Sequence, residues 1–306
     1  MSIELQTIFG FKVDIDTYEG GKEDIPNLIR LFKKHDIPAS FFGVMGPDHS
    51  GRAAFRVFTH KGFLRKMIRT KAPSQYGLKT MLYGTLLPGP FMPVKLKKHY
   101  KNIIDEGFEL GMHGYDHIAW HNNLTRWSEE RIRNEYKKMM QAYSDAIGED
   151  VKSLGTPGWQ ESIRHIKVTD SLGFSYRSDT RFSQPYFPSI DGYVSNTLEI
   201  PTTFPSLDEI MGREDMQEKN PVEYMMQYFE KDKVNIFTLH TELEGRSYLG
   251  FLEEFILKLK EIENIEFLTL SDISKRICQK KDIPKKTFHM GEVKGRAGLV
   301  AIAENK

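Results

Sequence analysis

What most limits the fold of this chain is a regular alternation of β-rich and amphipathic segments along its 306 residues. TIFGFKVDID, residues 7–16, reads as a strand, DIPNLIRLFKKHD as a helix and PASFFGVM as a second strand. VKLKKHYKNIIDEG predicts a helix ahead of the strand FELGMH. WSEERIRNEYKKMMQAYSDAIG predicts a long helix opened by Ser128, with Glu129 and Glu130 in its first turn. VKSLGTPGW, SIRHIKVTDSLG, SYRSDT, LEIPTT, PVEYMMQYFEKD, KVNIFTLHT, YLGFLEEFILKLKEIEN, IEFLTL and DISKRICQKK continue the series. Strand and helix in turn predict an α/β fold, a mainly parallel sheet that seven or eight strands close into a (β/α) barrel. A single domain spans 1–306, and the tail from Pro284 is expected to add a short hairpin.

In such folds chemistry collects where strands end and loops begin. Asp14 and Asp16 end the first strand, His113 the third and His240 the strand KVNIFTLH, while Thr156 and Pro157 follow the fourth and Asp179 the fifth. All are expected at one mouth of the barrel. Asp14 and Asp16, two apart, share a strand face, and a bound cation is the commonest way to keep two such carboxylates ionised. His113 and His117 stand four apart, one helical turn, so both imidazoles are expected to leave the same face. Asp16, His113 and His117 then form a two-histidine, one-carboxylate set with open positions for water and substrate. The donors suit a single divalent ion, Zn, Mn, Co or Fe. Asp14, outside that set, is the candidate general base, and His240 the candidate acid for a departing amine.

VDID, HGYDH, GTPGW, SDT and FTLH, in that order, resemble the polysaccharide deacetylase family, metal-dependent amidases on a distorted (β/α) barrel. The resemblance implies that Gly158 supplies an oxyanion-holding N–H and that Asp179 orients His240. It also leads one to expect an arginine two residues before Pro157, where this chain has Gly155. Arg177 and Arg181 are the candidates to replace it beside Asp14. Longer stretches, among them LEIPTTFPSLDEIMG and FTLHTELEG, are similar to a branch of the family that removes a formyl group from a lipid-linked amino sugar. That implies a formamido-arabinose on undecaprenyl phosphate as substrate, with Arg177, Arg181, Glu242 and Trp159 as candidate contacts. A deacetylase or amidase for another sugar or a cyclic amide, and an idle membrane-binding module, are the rival readings.

The charge pattern bears on the lipid carrier. Formal net charge is only +1, yet from His49 to Ile104 there are twelve Lys and Arg and no Asp or Glu. Large apolar residues interleave with these charges, as in segments that lie in a membrane interface, where each nearby Lys or Arg contributes roughly 1 kcal/mol on anionic lipid. Residues 49–104 are therefore expected to form a basic amphipathic insertion. Its candidate interface residues are Phe63, Leu64, Arg65, Lys66, Met67, Arg69, Leu86, Leu87 and Phe91. Binding to nucleic acid is not expected, since LLPGPFMP is more apolar than a nucleic-acid groove needs. One cysteine, Cys278, and a start without signal-peptide character point to a reducing compartment. With the lipid-linked substrate that the resemblance implies, the protein is expected peripherally on the cytoplasmic face of a bacterial inner membrane.

Overall fold

A computed structural model describes residues 6–55, 79–216 and 218–304. The strands are β1 (Thr7–Ile15), β2 (Ala39–Gly43), β3 (Glu109–Met112), β4 (Ser153–Leu154), β5 (Tyr176–Arg177), β6 (Phe187–Ile190) and β7 (Tyr193–Val194). They continue as β8 (Leu198–Glu199), β9 (Val234–His240), β10 (Ile265–Phe267), β11 (Lys285–Lys286), β12 (Phe288–Glu292) and β13 (Leu299–Ala303). The main helices are α1 (Tyr18–Lys34), α2 (Lys97–Asp105), α3 (His117–Asn123), α4 (Glu129–Ile147), α5 (Ile163–Leu172), α6 (Pro221–Met226), α7 (Leu249–Lys260) and α8 (Leu270–Cys278).

β1 is the hub. It pairs in parallel with β2, β9 and β10, and the row runs on through β3, β4, β5 and β8, every pairing parallel. Beyond β8 the Thr203 N–H donates to the Ile236 carbonyl of β9 at 3.0 Å, drawing the two ends of the row together. The result is the expected distorted barrel. Its distortion follows from β4, β5 and β8 being only two residues long. The tail forms the antiparallel hairpin β12–β13, whose Ala301 carbonyl accepts from the Arg181 N–H at 2.9 Å.

All nine residues of β1 are buried, as in a strand covered on both faces. Phe9, Phe11, Val13 and Ile15 join the outer core with Leu28 and Phe32 of α1. Ile8 joins Phe42, Tyr176, Leu198, Val234 and Ile236 in an inner cluster that Leu270, Ile273 and Ile277 of α8 complete. Each fully buried Leu or Phe contributes about 1.5–3 kcal/mol. The apolar packing gives way further along the same strand face to Lys12 and Asp14, both buried. That polar end is the mouth.

Helix α4 starts as read, with the Ser128 hydroxyl accepting from the Arg131 N–H at 3.2 Å. Helix α1 starts six residues earlier than the hydrophobic pattern shows, because Thr17 caps it and accepts from the Gly20 N–H. Of the expected interface residues, Phe63, Leu64, Arg65, Lys66, Met67 and Arg69 lie outside the described residues. Leu86 is 81% exposed and Leu87 is exposed, whereas Phe91 is half-buried, its ring 6.3 Å from that of Tyr115. No helix among the described residues is long and apolar enough to cross a membrane.

Candidate active site

Asp16 follows the last residue of β1, and His113 follows the last residue of β3. His117 is the first residue of α3, whose N-cap Asp116 accepts from the Ala119 N–H at 2.9 Å. The two histidines thus flank a strand-to-helix corner and do not share one helical turn. The corner still brings them together, with ring centroids 5.3 Å apart. Asp16 Oδ1 lies 3.1 Å from His113 Nε2, and Asp16 Oδ2 lies 3.4 Å from His117 Nε2. One ligand atom from each of the three residues falls within 4.8 Å of the others.

These donors fit a divalent ion. His113 Nδ1 is 2.6 Å from the Gly155 carbonyl oxygen, a contact in which only the ring can donate. That fixes the tautomer and turns Nε2 toward Asp16, the second contact expected of a ligating imidazole. Asp16 Oδ1 is buried and without a hydrogen-bond partner. Burial works to raise the Asp16 pKa, but His117 and His113 outweigh it and hold the carboxyl well below its usual range. Burial works the other way on His113, where Asp14 and Asp16 prevail and raise the pKa. The Asp16 carboxylate and the His113 imidazole stabilise each other's charges where a cation would replace the proton.

Asp14 and His240 are register partners on the paired strands β1 and β9. Asp14 Oδ1 lies 3.7 Å from His113 Nδ1, buried and without a hydrogen bond. Burial lowers the His240 pKa, yet the charges of Asp16, Asp208, Asp14 and Glu244 outweigh it, so the ring holds its proton above the ordinary value. That suits a proton donor.

Asp179 is fully buried. Its Oδ1 accepts from the Thr156 N–H at 2.5 Å, while its Oδ2 and His240 Nδ1 are both buried without a hydrogen-bond partner. Asp179, Glu161 and His165 form a second buried cluster, but both His165 ring nitrogens are engaged, with Tyr136 Oη and with Glu161 Oε1, each at 2.6 Å. Tyr136, His165 and Glu161 form a hydrogen-bond chain that leaves neither ring nitrogen of His165 for an ion.

The expected substrate contacts are mostly walled off. Arg177 is fully buried and donates to Thr169 Oγ1 and Ser195 Oγ, both at 2.7 Å, so it does not replace the expected arginine beside Asp14. Arg181 is bound to Glu209 at 3.0 Å and lies over the Trp159 ring. Trp159, also stacked by Arg296, is buried and donates from its indole to Thr202 Oγ1 at 2.9 Å. Glu242 is buried behind Asp16, with Oε1 accepting from the Thr17 N–H and hydroxyl at 2.8 and 2.6 Å. Gly158 sits between Pro157 and Trp159 with φ 69°, in the left-handed region.

Three residues escaped the sequence reading, among them Glu244, whose Oε2 accepts from the His240 N–H at 2.9 Å. Lys12 Nζ lies 3.7 Å from Asp14 Oδ2. Its signal was a charge inside an otherwise apolar strand, two residues before Asp14 and so on the same face. Asp208 follows Leu207 in the single turn Leu207–Ile210, and nothing local marks it as a neighbour of His240.

Comparison with known proteins agrees with this geometry. A family model described as polysaccharide deacetylase matches residues 14–177. The chain is 33% identical over 273 residues, 89% of its length and 88% of the relative's, to the "Probable 4-deoxy-4-formamido-L-arabinose-phosphoundecaprenol deformylase ArnD" of Shewanella sediminis. It is 29% identical to the protein of the same name from Wigglesworthia glossinidia brevipalpis, covering 92% of this chain and 97% of that one. A solved structure named for a polysaccharide deacetylase, from Mycobacterium smegmatis, superposes with a TM-score of 0.66 at 15% identity. That superposition covers 96% of this chain and 97% of the other.

Proposed function

Since this chain belongs to the polysaccharide deacetylase family, we propose that it hydrolyses the N-formyl amide of 4-deoxy-4-formamido-L-arabinose carried on undecaprenyl phosphate. The products are formate and the free 4-amino sugar on its lipid. One observation carries the reading. Asp16, His113 and His117 converge at the barrel mouth with Asp14 and His240 beside them on paired strands.

Asp16, His113 and His117 would hold one divalent ion, of Zn, Mn, Co or Fe, and it would supply Lewis-acid chemistry to the amide hydrolysis. Asp14 accepts a proton from the attacking water, whose oxygen bonds to the formyl carbon. The Gly158 N–H holds the developing oxyanion. As the C–N bond breaks, His240 gives its proton to the sugar nitrogen, so a neutral amine leaves. Formate keeps the water oxygen.

The protein works peripherally at the lipid surface that holds its substrate, on the cytoplasmic face of the inner membrane. Exposed Leu86 and Leu87, within the acid-free basic stretch, support that placement. The deciding experiment measures formate released from the undecaprenyl-phosphate-linked formamido sugar, before chelation, after it, and after each metal is restored. Release lost on chelation and regained with metal is the expected result. No release with any of the four metals, or faster cleavage of the acetyl analogue, overturns the reading.

A further inference from the structure

We infer that Lys12 is the positioning residue for Asp14, standing in space that a side chain at residue 155 would otherwise fill. The inference rests on the hydrolytic reading of the site. Lys12 and Asp14 alternate along β1 and project to the same face of the strand. The lysine is fully buried, a placement that costs several kcal/mol for an ion unless strong partners surround it. Nζ donates to the Ser178 carbonyl at 2.8 Å and lies 5.5 and 5.8 Å from the ring centres of Phe42 and Trp159. Among the described residues, the carboxylate within ion-pair distance of it is Asp14, at 3.7 Å.

Gly155 explains how the lysine fits. A Cβ built on Gly155 would stand 2.8 Å from Lys12 Cε and 3.0 Å from Nζ, closer than side-chain atoms pack. A cation from β1 and a side chain from residue 155 are therefore alternatives for one volume. The separation of 3.7 Å is an ionic contact longer than a hydrogen bond. It holds the Asp14 carboxylate by charge without occupying a lone pair in a strong bond, and Asp14 Oδ1 has no hydrogen-bond partner. A base held in this way stays oriented and open to water. A lysine that only braced the Ser178 carbonyl would need the same space beside Gly155 but would not need Asp14.

The test compares parent, Lys12→Met, Lys12→Arg, Lys12→Ala, Gly155→Arg and Lys12→Ala/Gly155→Arg. It reads kcat and KM for formate release from the lipid-linked formamido sugar, bound metal, and melting temperature. Lys12→Met should lose about a hundredfold in kcat, within the range a positioned base contributes, with KM and metal content near the parent's. Lys12→Arg should recover most of the loss. The double variant should exceed Lys12→Ala about tenfold or more, since the cation returns from the other strand. Gly155→Arg should lower the melting temperature in the parent and not in the Lys12→Ala background. The inference is overturned if Lys12→Met keeps kcat within about twofold. It is overturned equally if the double variant fails to fold or does not outperform Lys12→Ala, or if Gly155→Arg destabilises both backgrounds alike. A parent that releases no formate counts against the proposed function instead, and the melting comparison still decides whether Lys12 and residue 155 share one space.

Discussion

Asp14 on β1 and His240 on β9 face each other as register partners across one parallel strand pair. In a parallel ladder such partners project to the same side, so one pairing sets base and acid at one level of the barrel mouth. Asp14→Asn should cut kcat about 10²–10⁴-fold, the usual contribution of a general base, while bound metal stays stoichiometric. Stopped formate assays with elemental analysis on the same samples check this. A near-normal rate would remove Asp14 from that role.

His113 gives the opposite pattern. Its Nδ1 is committed to the Gly155 carbonyl, which leaves Nε2 beside Asp16 as the ligand atom. His113→Ala should lose metal and turnover together, and excess metal in the assay should not restore the rate to the parent's. Metal at parent levels in purified His113→Ala would exclude it from the ligand set.

Gly158 tolerates no side chain. It has φ 69°, and a Cβ there would fall 1.9 Å from His121 Cδ2. Gly158→Ala should destabilise the fold by about 2–4 kcal/mol, combining the left-handed backbone cost with overpacking. Urea unfolding gives the value, and a loss below about 0.5 kcal/mol would contradict this reading of the turn.

Glu199 sets a pH dependence of stability. Burial pushes its pKa up to about 8 from an ordinary 4.5, with the Asp179 charge adding and Arg177 opposing. The folded protein therefore binds a proton there that the unfolded chain has released. That stabilisation is complete below pH 4.5 and fades as pH rises to about 8. Glu199→Gln keeps an acceptor for the Asp179 and Thr180 N–H groups and the Thr180 hydroxyl, and it cannot ionise. The melting temperature of the parent relative to this variant should fall from pH 5 to pH 8; a constant difference would refute it.

Leu86 and Leu87 test the membrane placement. Inserting one leucine is worth about 1.5–3 kcal/mol, so Leu86→Ser/Leu87→Ser should weaken binding to anionic vesicles at least about tenfold. Co-sedimentation with anionic and with neutral vesicles measures the change. Equal binding by parent and variant would place the contact elsewhere.

Much of the site was legible because strand ends are where this architecture gathers polar groups. Asp14, Asp16, His113 and His240 could be assigned from position along predicted strands alone. His117 was reached through a helical spacing that the chain does not use there. The corner after β3, capped by Asp116, brings the rings together instead. The role expected of Arg177 was harder to read. Its guanidinium is drawn onto Thr169 and Ser195, which come from separate segments.

The sequence by itself determined the alternating elements, the parallel barrel and the identity of the residues at its mouth, since these follow from short-range periodicity and from where strands stop. Only the tertiary structure decided which charges meet. Asp208 near His240, and Lys12 filling the space beside Gly155, each bring together residues from separate segments. Such contacts are set by packing between residues far apart in the chain, and no local pattern encodes them.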